Sequence, residues 1–214
     1  MAFARRVPEA TVARLPLYLR ALGELAVERA GTISSEVLAA RAGVNAAQVR
    51  KDLSHLGSYG TRGVGYEVAY LEREINRRLG LSEDQKVAII GAGNLGHALA
   101  SYAGFPARGF CVVAAFDSDP AKVGARLGQV TVQPASSMGR VLRAERVAIA
   151  IITTPASAAQ GAVDVAAAGG VGCILNFAPT AVNVPEGVAL RQVDLGIELQ
   201  ILSFYGHKAR VTVP

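Results

Sequence analysis

The residues with the clearest chemistry run from Val87 to Gly96, Val-Ala-Ile-Ile-Gly-Ala-Gly-Asn-Leu-Gly. The apolar run Val87 to Ile90 reads as a buried parallel strand, and G-x-G-x-x-G leads from it into a helix beginning near His97-Ala-Leu-Ala100. Each glycine has its own physical reason. Gly91 allows a tight strand-to-helix turn, Gly93 lets backbone touch a pyrophosphate, and Gly96 lets helix and strand pack closely. Ala92, Asn94 and Leu95 complete the turn, and the helix N-terminus offers unpaired N–H groups and a positive dipole end to phosphates. A second apolar run, Phe110 to Phe116, ends in Asp117, twenty-one residues beyond Gly96, where a carboxylate accepts hydrogen bonds from a ribose diol. Asp117 therefore favours NAD(H) over a 2′-phosphorylated cofactor, and Lys122 nearby softens that repulsion.

The elements around this turn alternate. Strands are expected at 87–90, 110–116, near 129–132, 147–152, 171–177 and 188–193, with helices at 94–103, 135–145 and 155–168, the pattern of a doubly wound parallel sheet of Rossmann type. Ligand groups in such a sheet come from loops at strand C-termini, which adds Thr154 and Pro155, and Asn176, Ala178 and Pro179, to the candidate cofactor contacts. The last element opens at Asp194, a natural N-cap, and runs through Leu195, Ile197, Leu199, Ile201, Leu202, Phe204 and Tyr205. Apolar on nearly all sides, it needs cover on both faces, which a position between two subunits supplies. The tail from Gly206 is expected to fray.

The first eighty residues have another character. Val12, Leu15, Leu19, Leu22 and Leu25 recur at helical spacing between Pro8 and Gly31, with Pro16 either kinking this helix or delaying its start. Ser34 or Ser35 can cap a second helix that Gly43 ends, and Asn45 with Gln48 makes a capping-box start for a third. Leu38, Ala42, Val44, Val49 and Leu53 supply the facing apolar surfaces, the layout of a helix-turn-helix whose second member is the recognition helix. Arg50, Lys51, Ser54 and His55 lie on that helix; adjacent residues diverge by about 100 degrees, so one or two of them reach base edges. Gly57 to Tyr66 follows, rich in glycine, and reads as a β-hairpin wing in which Tyr59, Gly60 and Arg62 are placed for DNA. Another helix spans Val68 to Leu79, and the polar stretch after Gly80 marks a boundary, giving domains 1–80, 81–193 and a C-terminal helix with its tail, 194–214.

Composition bounds these readings. The 214 residues are 51% apolar with net charge +5, enough to bury a core. Residues 1–80 hold twelve Lys and Arg against eight Asp and Glu, a balance of +4, while the remainder balances at +1, so the basic end coincides with the helix-turn-helix. The longest apolar stretch, Val147 to Val163, is broken by Thr153, Pro155, Gln160 and Gly161 and does not read as a membrane span. The charged N-terminus lacks an apolar signal region, so a cytoplasmic protein with no membrane partner is expected. Cys111 and Cys173 sit in strand-like apolar runs without metal or redox spacing and read as core residues, and no metal is expected.

A winged helix joined directly to a dinucleotide domain resembles the bacterial redox-sensing transcriptional repressor family Rex. The resemblance covers nearly the whole chain and rests on Gln48-Val-Arg-Lys-Asp-Leu-Ser54, on Gly57 to Tyr66, on Gly91 to Gly96, on Ile174-Leu-Asn-Phe-Ala-Pro179 and on Val193-Asp194. It implies a homodimeric repressor that binds a palindromic double-stranded operator, senses NADH against NAD+ and leaves DNA when NADH binds. It also implies that the C-terminal helix is exchanged between subunits and that Arg20, Tyr102 and Asp194 form the switch. Two other readings stand beside it. An NAD-dependent oxidoreductase has little room here for a substrate domain, with Tyr102 as the one attractive acid or base. A CoA-binding regulator would tolerate an adenosine diphosphate without ribose recognition.

Overall fold

The computed structural model describes residues 7–57, 60–61 and 64–211, the last four as backbone only. The chain divides into two compact units, Met1–Glu83 and Asp84–Pro214. In the first, α1 (Glu9–Val27) is followed by β1 (Thr32–Ile33), α2 (Ser35–Ala42), α3 (Ala46–Leu56), β2 (Gly60–Thr61), β3 (Gly65–Glu67) and α4 (Val68–Arg78). Pro16 lies inside α1, exposed to solvent, so the helix starts at Glu9 and accepts one lost backbone bond. It ends before Gly31, at a turn in which Arg29 takes a positive φ. The buried stripe of α1 is Thr11, Leu15, Tyr18, Leu22 and Leu25, which leaves Val12 on the solvent side. Leu38, Val49, Leu53, Leu71 and Ile75 complete the core. The three short strands form an antiparallel sheet ordered β1-β3-β2, the base of the wing.

Both helix-turn-helix caps form. Ser34 Oγ accepts from Val37 N at 3.3 Å, Gly43 takes the left-handed conformation that closes α2, and Asn45 Oδ1 accepts from Gln48 N at 2.8 Å. The capping box is only half made, because the Gln48 side chain turns to Asp52 instead.

The second unit contains β4 (Gln85–Ile90), α5 (Asn94–Ala100), β5 (Phe110–Asp117), β6 (Arg126–Leu127), β7 (Val130–Pro134), α6 (Met138–Glu145), β8 (Ile149–Ile152), α7 (Ala156–Ala168), β9 (Cys173–Asn176), β10 (Ala189–Gln192) and α8 (Leu195–Val211). The sheet order is β10-β9-β8-β4-β5-β7-β6, parallel throughout except for the edge hairpin of β6 with β7. The order reverses between β4 and β8, the crevice where such sheets bind ligands. One face packs α6 and α7 over Ala88, Ile90, Phe116 and Ile152. The other, with Val87, Ile89 and Ile151, is covered by the short α5, and Ile149, Leu175 and Phe177 on it are only half-buried.

Four sequence expectations change. Helix α5 stops at Ala100, not 103, because Gly104 and Pro106 follow; Tyr102 lies in the turn beyond it. The antiparallel β6 was not legible as a strand at two residues. Helix α8 continues through Gly206 to Val211 rather than fraying, and Leu195 through Tyr205 stand exposed along it. Cys111 and Cys173 are exposed, not core, because both sit at the amino-terminal rim of the sheet, beside exposed Lys86 and Gly172. No helix among the described residues is long and apolar enough to cross a membrane.

The position of α3 depends on one fully buried carboxylate. Asp52 accepts from Arg14 Nε (2.6 Å) and Nη2 (2.8 Å), Tyr18 OH (2.7 Å), Thr11 Oγ1 (2.9 Å) and Gln48 Nε2 (2.8 Å). Burial pushes its pKa up, but the bonds from Arg14, Tyr18, Gln48 and Thr11 outweigh that and hold the carboxyl well below its usual range. At the other end of α3, Arg78 Nη2 donates to the Leu56 carbonyl at 2.6 Å. Asp52→Asn replaces one acceptor oxygen by a donor that faces donors, so it should destabilise the chain by about 2–3 kcal/mol. A carboxylate with a depressed pKa stabilises fully above the unfolded value of about 4 and loses that contribution as pH falls toward the folded value. Calorimetry should therefore show the gap between wild type and Asp52→Asn at its full size at neutral pH, narrowing as pH falls below about 4.

Candidate functional site

At the C-terminal ends of β4, β5 and β8 the backbone is drawn together around Gly91. Its N–H donates to the Phe116 carbonyl at 2.8 Å, and its carbonyl accepts from Thr153 Oγ1 at 2.8 Å. Gly91 has φ +108°, and a Cβ there would stand 2.7 Å from the Thr153 carbonyl oxygen, so no side chain fits. A Cβ on Gly96 would come within 2.1 Å of the Gly91 carbonyl oxygen, whereas one on Gly93 would meet nothing within 4 Å. Gly91 and Gly96 thus close the turn, and Gly93 faces open space, the division of labour that a pyrophosphate at a helix N-terminus requires.

That space belongs to a cavity of about 570 Å³ lined by Gly91, Gly93, Asp117, Lys122, Thr154 and Pro155, with an apolar wall from Met138, Ala158, Ala162 and Val165. Asp117 is set before any ligand arrives. Its Oδ2 accepts from Ala92 N at 2.7 Å and Lys122 Nζ at 3.1 Å, and its Oδ1 from Asp119 N at 2.9 Å. Burial raises its pKa, and the Asp119 and Ala92 N–H groups with Lys122 more than offset that, so it is held ionised. Thr154 Oγ1 is buried and has no hydrogen-bond partner among the described residues, so a polar ligand group in the cavity would satisfy it. These residues fit a dinucleotide: Gly93 and the start of α5 for the pyrophosphate, Asp117 for the ribose hydroxyls, Thr154 for a further polar group.

The remaining cofactor candidates lie elsewhere. Asn94 and Leu95 occupy exposed positions in the first turn of α5, outside the cavity lining. Asn176 is fully buried and internally satisfied, donating to the Thr180 carbonyl and Gln192 Oε1 and accepting from Ala178 N. Ala178 is buried with it, while Pro179 borders a separate pocket of about 320 Å³ shared with Asp194 and Ile197. Thr153, in the same strand-end loop as Thr154 and Pro155, ties the end of β8 to the glycine turn.

In the first unit, the nucleic-acid candidates on α3 differ in freedom. Lys51 and Ser54 are exposed, Ser54 Oγ donating to the Lys51 carbonyl at 2.7 Å, and His55 is half-buried. Arg50 is exposed but engaged: its Nη1 donates to Ser35 Oγ at 2.8 Å and Glu36 Oε1 at 3.1 Å. Gly60, in β2, is required by Tyr66, whose ring would lie 2.7 Å from a Cβ there. Tyr59 and Arg62 lie outside the described residues. Sequence reading passed over Asp52, which carries no mark of burial in a charged helix segment, and Glu36. Of the switch candidates, Arg20 is exposed on α1, Tyr102 packs edge-on against Phe105 with its OH 3.4 Å from Arg108 Nη1, and Asp194 caps α8 by accepting from Gly196 N and Ile197 N. Tyr102 lines a pocket with Phe110 of β5, and Asp194 follows β10, four strand spacings away, about 19 Å at the usual separation.

Comparison with known proteins agrees with both units. A family model for a putative DNA-binding protein N-terminus matches residues 6–54, and one for a CoA binding domain matches residues 82–180. The redox-sensing transcriptional repressor Rex of Streptomyces griseus subsp. griseus is 57% identical over 94% of this chain and 80% of its own length. That of Desulfitobacterium hafniense is 47% identical over 93% of this chain and 95% of its own. Among solved structures, RSP in complex with beta-NAD+ and operator DNA superposes with a TM-score of 0.90 at 34% identity, covering 96% of this chain and 94% of that one. RSP in complex with beta-NADH gives 0.84 at 33% identity, covering 96% and 97%. With that identity carried across nearly its whole length, the chain belongs to the Rex family of redox-sensing transcriptional repressors.

Proposed function

We propose that this chain is a cytoplasmic, homodimeric repressor that binds operator DNA through its first unit and reads the NADH/NAD+ ratio through its second, NADH releasing it from DNA. The observation that carries the reading is the presence, in one chain, of a capped helix-turn-helix with a wing and of a glycine turn opening onto a cavity with an unpartnered Thr154 hydroxyl. The relatives support it, since solved structures of RSP carry NAD+ with operator DNA in one case and NADH in another. A CoA-binding reading draws on the family model over residues 82–180, but the 3′-phosphate of CoA would meet the ionised Asp117 at the ribose edge.

The dimer follows from two matching deficits. Helix α8 exposes Leu195, Ile197, Leu199, Leu202, Phe204 and Tyr205, while the sheet face bearing Ile149, Leu175 and Phe177 lacks full cover. A second copy's α8 meets both needs. It also explains how Asp194 acts with Tyr102 across a sheet that separates them within one chain: the contact joins two copies. Arg20 completes the switch from the DNA-binding unit.

A ligand of equal affinity for two shapes shifts nothing, so NADH binds the DNA-incompetent shape of the dimer more tightly than the DNA-competent one. The oxidised nicotinamide is a cation and the reduced ring is neutral, so apolar packing near the subunit interface discriminates between them. A dimer whose recognition helices must reach successive major grooves is released by a small change in their spacing.

Operator anisotropy at fixed salt should show NADH weakening DNA binding and NAD+ leaving it largely intact; equal curves for the two forms, or a response to CoA instead, would overturn the reading. Gly93 has an ordinary extended backbone and open space above it, so Gly93→Val should fold with little change in thermal midpoint yet lose at least about tenfold in NADH affinity by titration calorimetry. Asp194→Ala should still bind both NADH and operator, with the NADH-induced loss of operator affinity reduced or abolished.

A further inference from the structure

One pair of charges within the DNA-binding unit opposes its proposed task. We infer that Glu36 sets the affinity of this unit for nucleic acid by competing with a backbone phosphate for Arg50. The inference rests on the operator-binding reading above and concerns residues that reading leaves without a role.

Two residues of α2 converge on Arg50. From α2, Ser35 Oγ and Glu36 Oε1 accept its Nη1 at 2.8 and 3.1 Å, and Ser35 donates its own hydroxyl to Glu36 Oε1 at 3.2 Å. Ser35 is itself only 7% exposed, so it anchors the arrangement. The two charged side chains are 54% and 67% exposed, so the pair is open to a large anionic partner. Glu36 is held ionised by its own backbone N–H and the Ser34 and Ser35 hydroxyls.

The chemistry of exchange is direct. A guanidinium presents parallel N–H donors that suit the two oxygens of a carboxylate and the two non-bridging oxygens of a phosphodiester alike. Glu36 Oε1 therefore occupies, at Nη1, a donor that a phosphate oxygen would otherwise take. Arg50 Nη1 cannot serve a phosphate without leaving Glu36, and Glu36 then faces the polyanion unpaired. Both effects lower affinity for any duplex, because phosphate contacts carry no sequence information. For a repressor that must let go of DNA when its effector binds, a lowered baseline makes release easier.

The test is anisotropy with the full chain on its operator and on an unrelated duplex, from about 50 to 200 mM salt. Glu36→Gln should raise affinity for both duplexes by about twofold to fivefold, the scale of an exposed ion pair, and steepen the salt dependence by about one released counterion. In an Arg50→Gln background the gain should shrink, because there is no cation left to free and only the repulsion between Glu36 and phosphate remains. A gain of equal size in that background would mean simple repulsion between Glu36 and DNA, and no gain in the wild-type background would mean that the pair only staples α2 to α3. Either result overturns the inference and leaves the operator-binding reading standing. Failure of the unsubstituted chain to bind either duplex in a salt-dependent manner overturns both.

Discussion

The backbone contact at Gly91 is the constraint on which the cofactor unit depends. Three parallel strands meet there: β4 ends just before Gly91, which bonds β5 through the Phe116 carbonyl and the end of β8 through the Thr153 hydroxyl. Such closeness is possible only without a Cβ, and it lets Gly96 bring α5 down onto the turn. The cavity is what remains between these strand ends and the α6–α7 layer, so its size follows from the approach of backbone to backbone. Asp117 is bonded to Ala92 N, which couples the ribose end of the site to the turn itself. A site prepared in this way binds with less loss of conformational freedom than one that must form around its ligand.

The DNA-binding unit has a counterpart in Asp52. A helix that reads a groove must hold its orientation against the pull of a polyanion, and α3 does so by an internal anion tied to α1 and by the Arg78 bond at its C-terminus. Neither bond touches the outer face of the helix. Orientation is thereby separated from contact, and the contact residues remain adjustable through weak surface pairs such as Arg50 with Glu36.

Local chemistry was legible in the sequence and long-range partnership was not. The caps Ser34, Asn45 and Asp194 declare themselves because their partners lie within three residues. The alternation of apolar runs gave the strands of the parallel sheet to within a few residues. Asp52 is invisible to such reading, since its partners at Thr11, Arg14 and Tyr18 lie more than thirty residues away. Asn176 stands between the two: its place at a strand end is legible, while its bonds to Thr180 and Gln192 appear only in the fold. The cysteines mislead because an apolar run does not reveal where a sheet's cover stops.

Helix α8 carries a consequence of another kind. An α-helix of seventeen residues with apolar side chains around its circumference is not at rest in water. In the proposed dimer the second copy that covers it contributes to stability by mass action, and the melting temperature then rises with protein concentration. Newly made chains at low abundance are then the fraction most exposed to proteolysis and aggregation. The amount of repressor in a cell acquires a lower threshold, set by subunit encounter and independent of any cofactor.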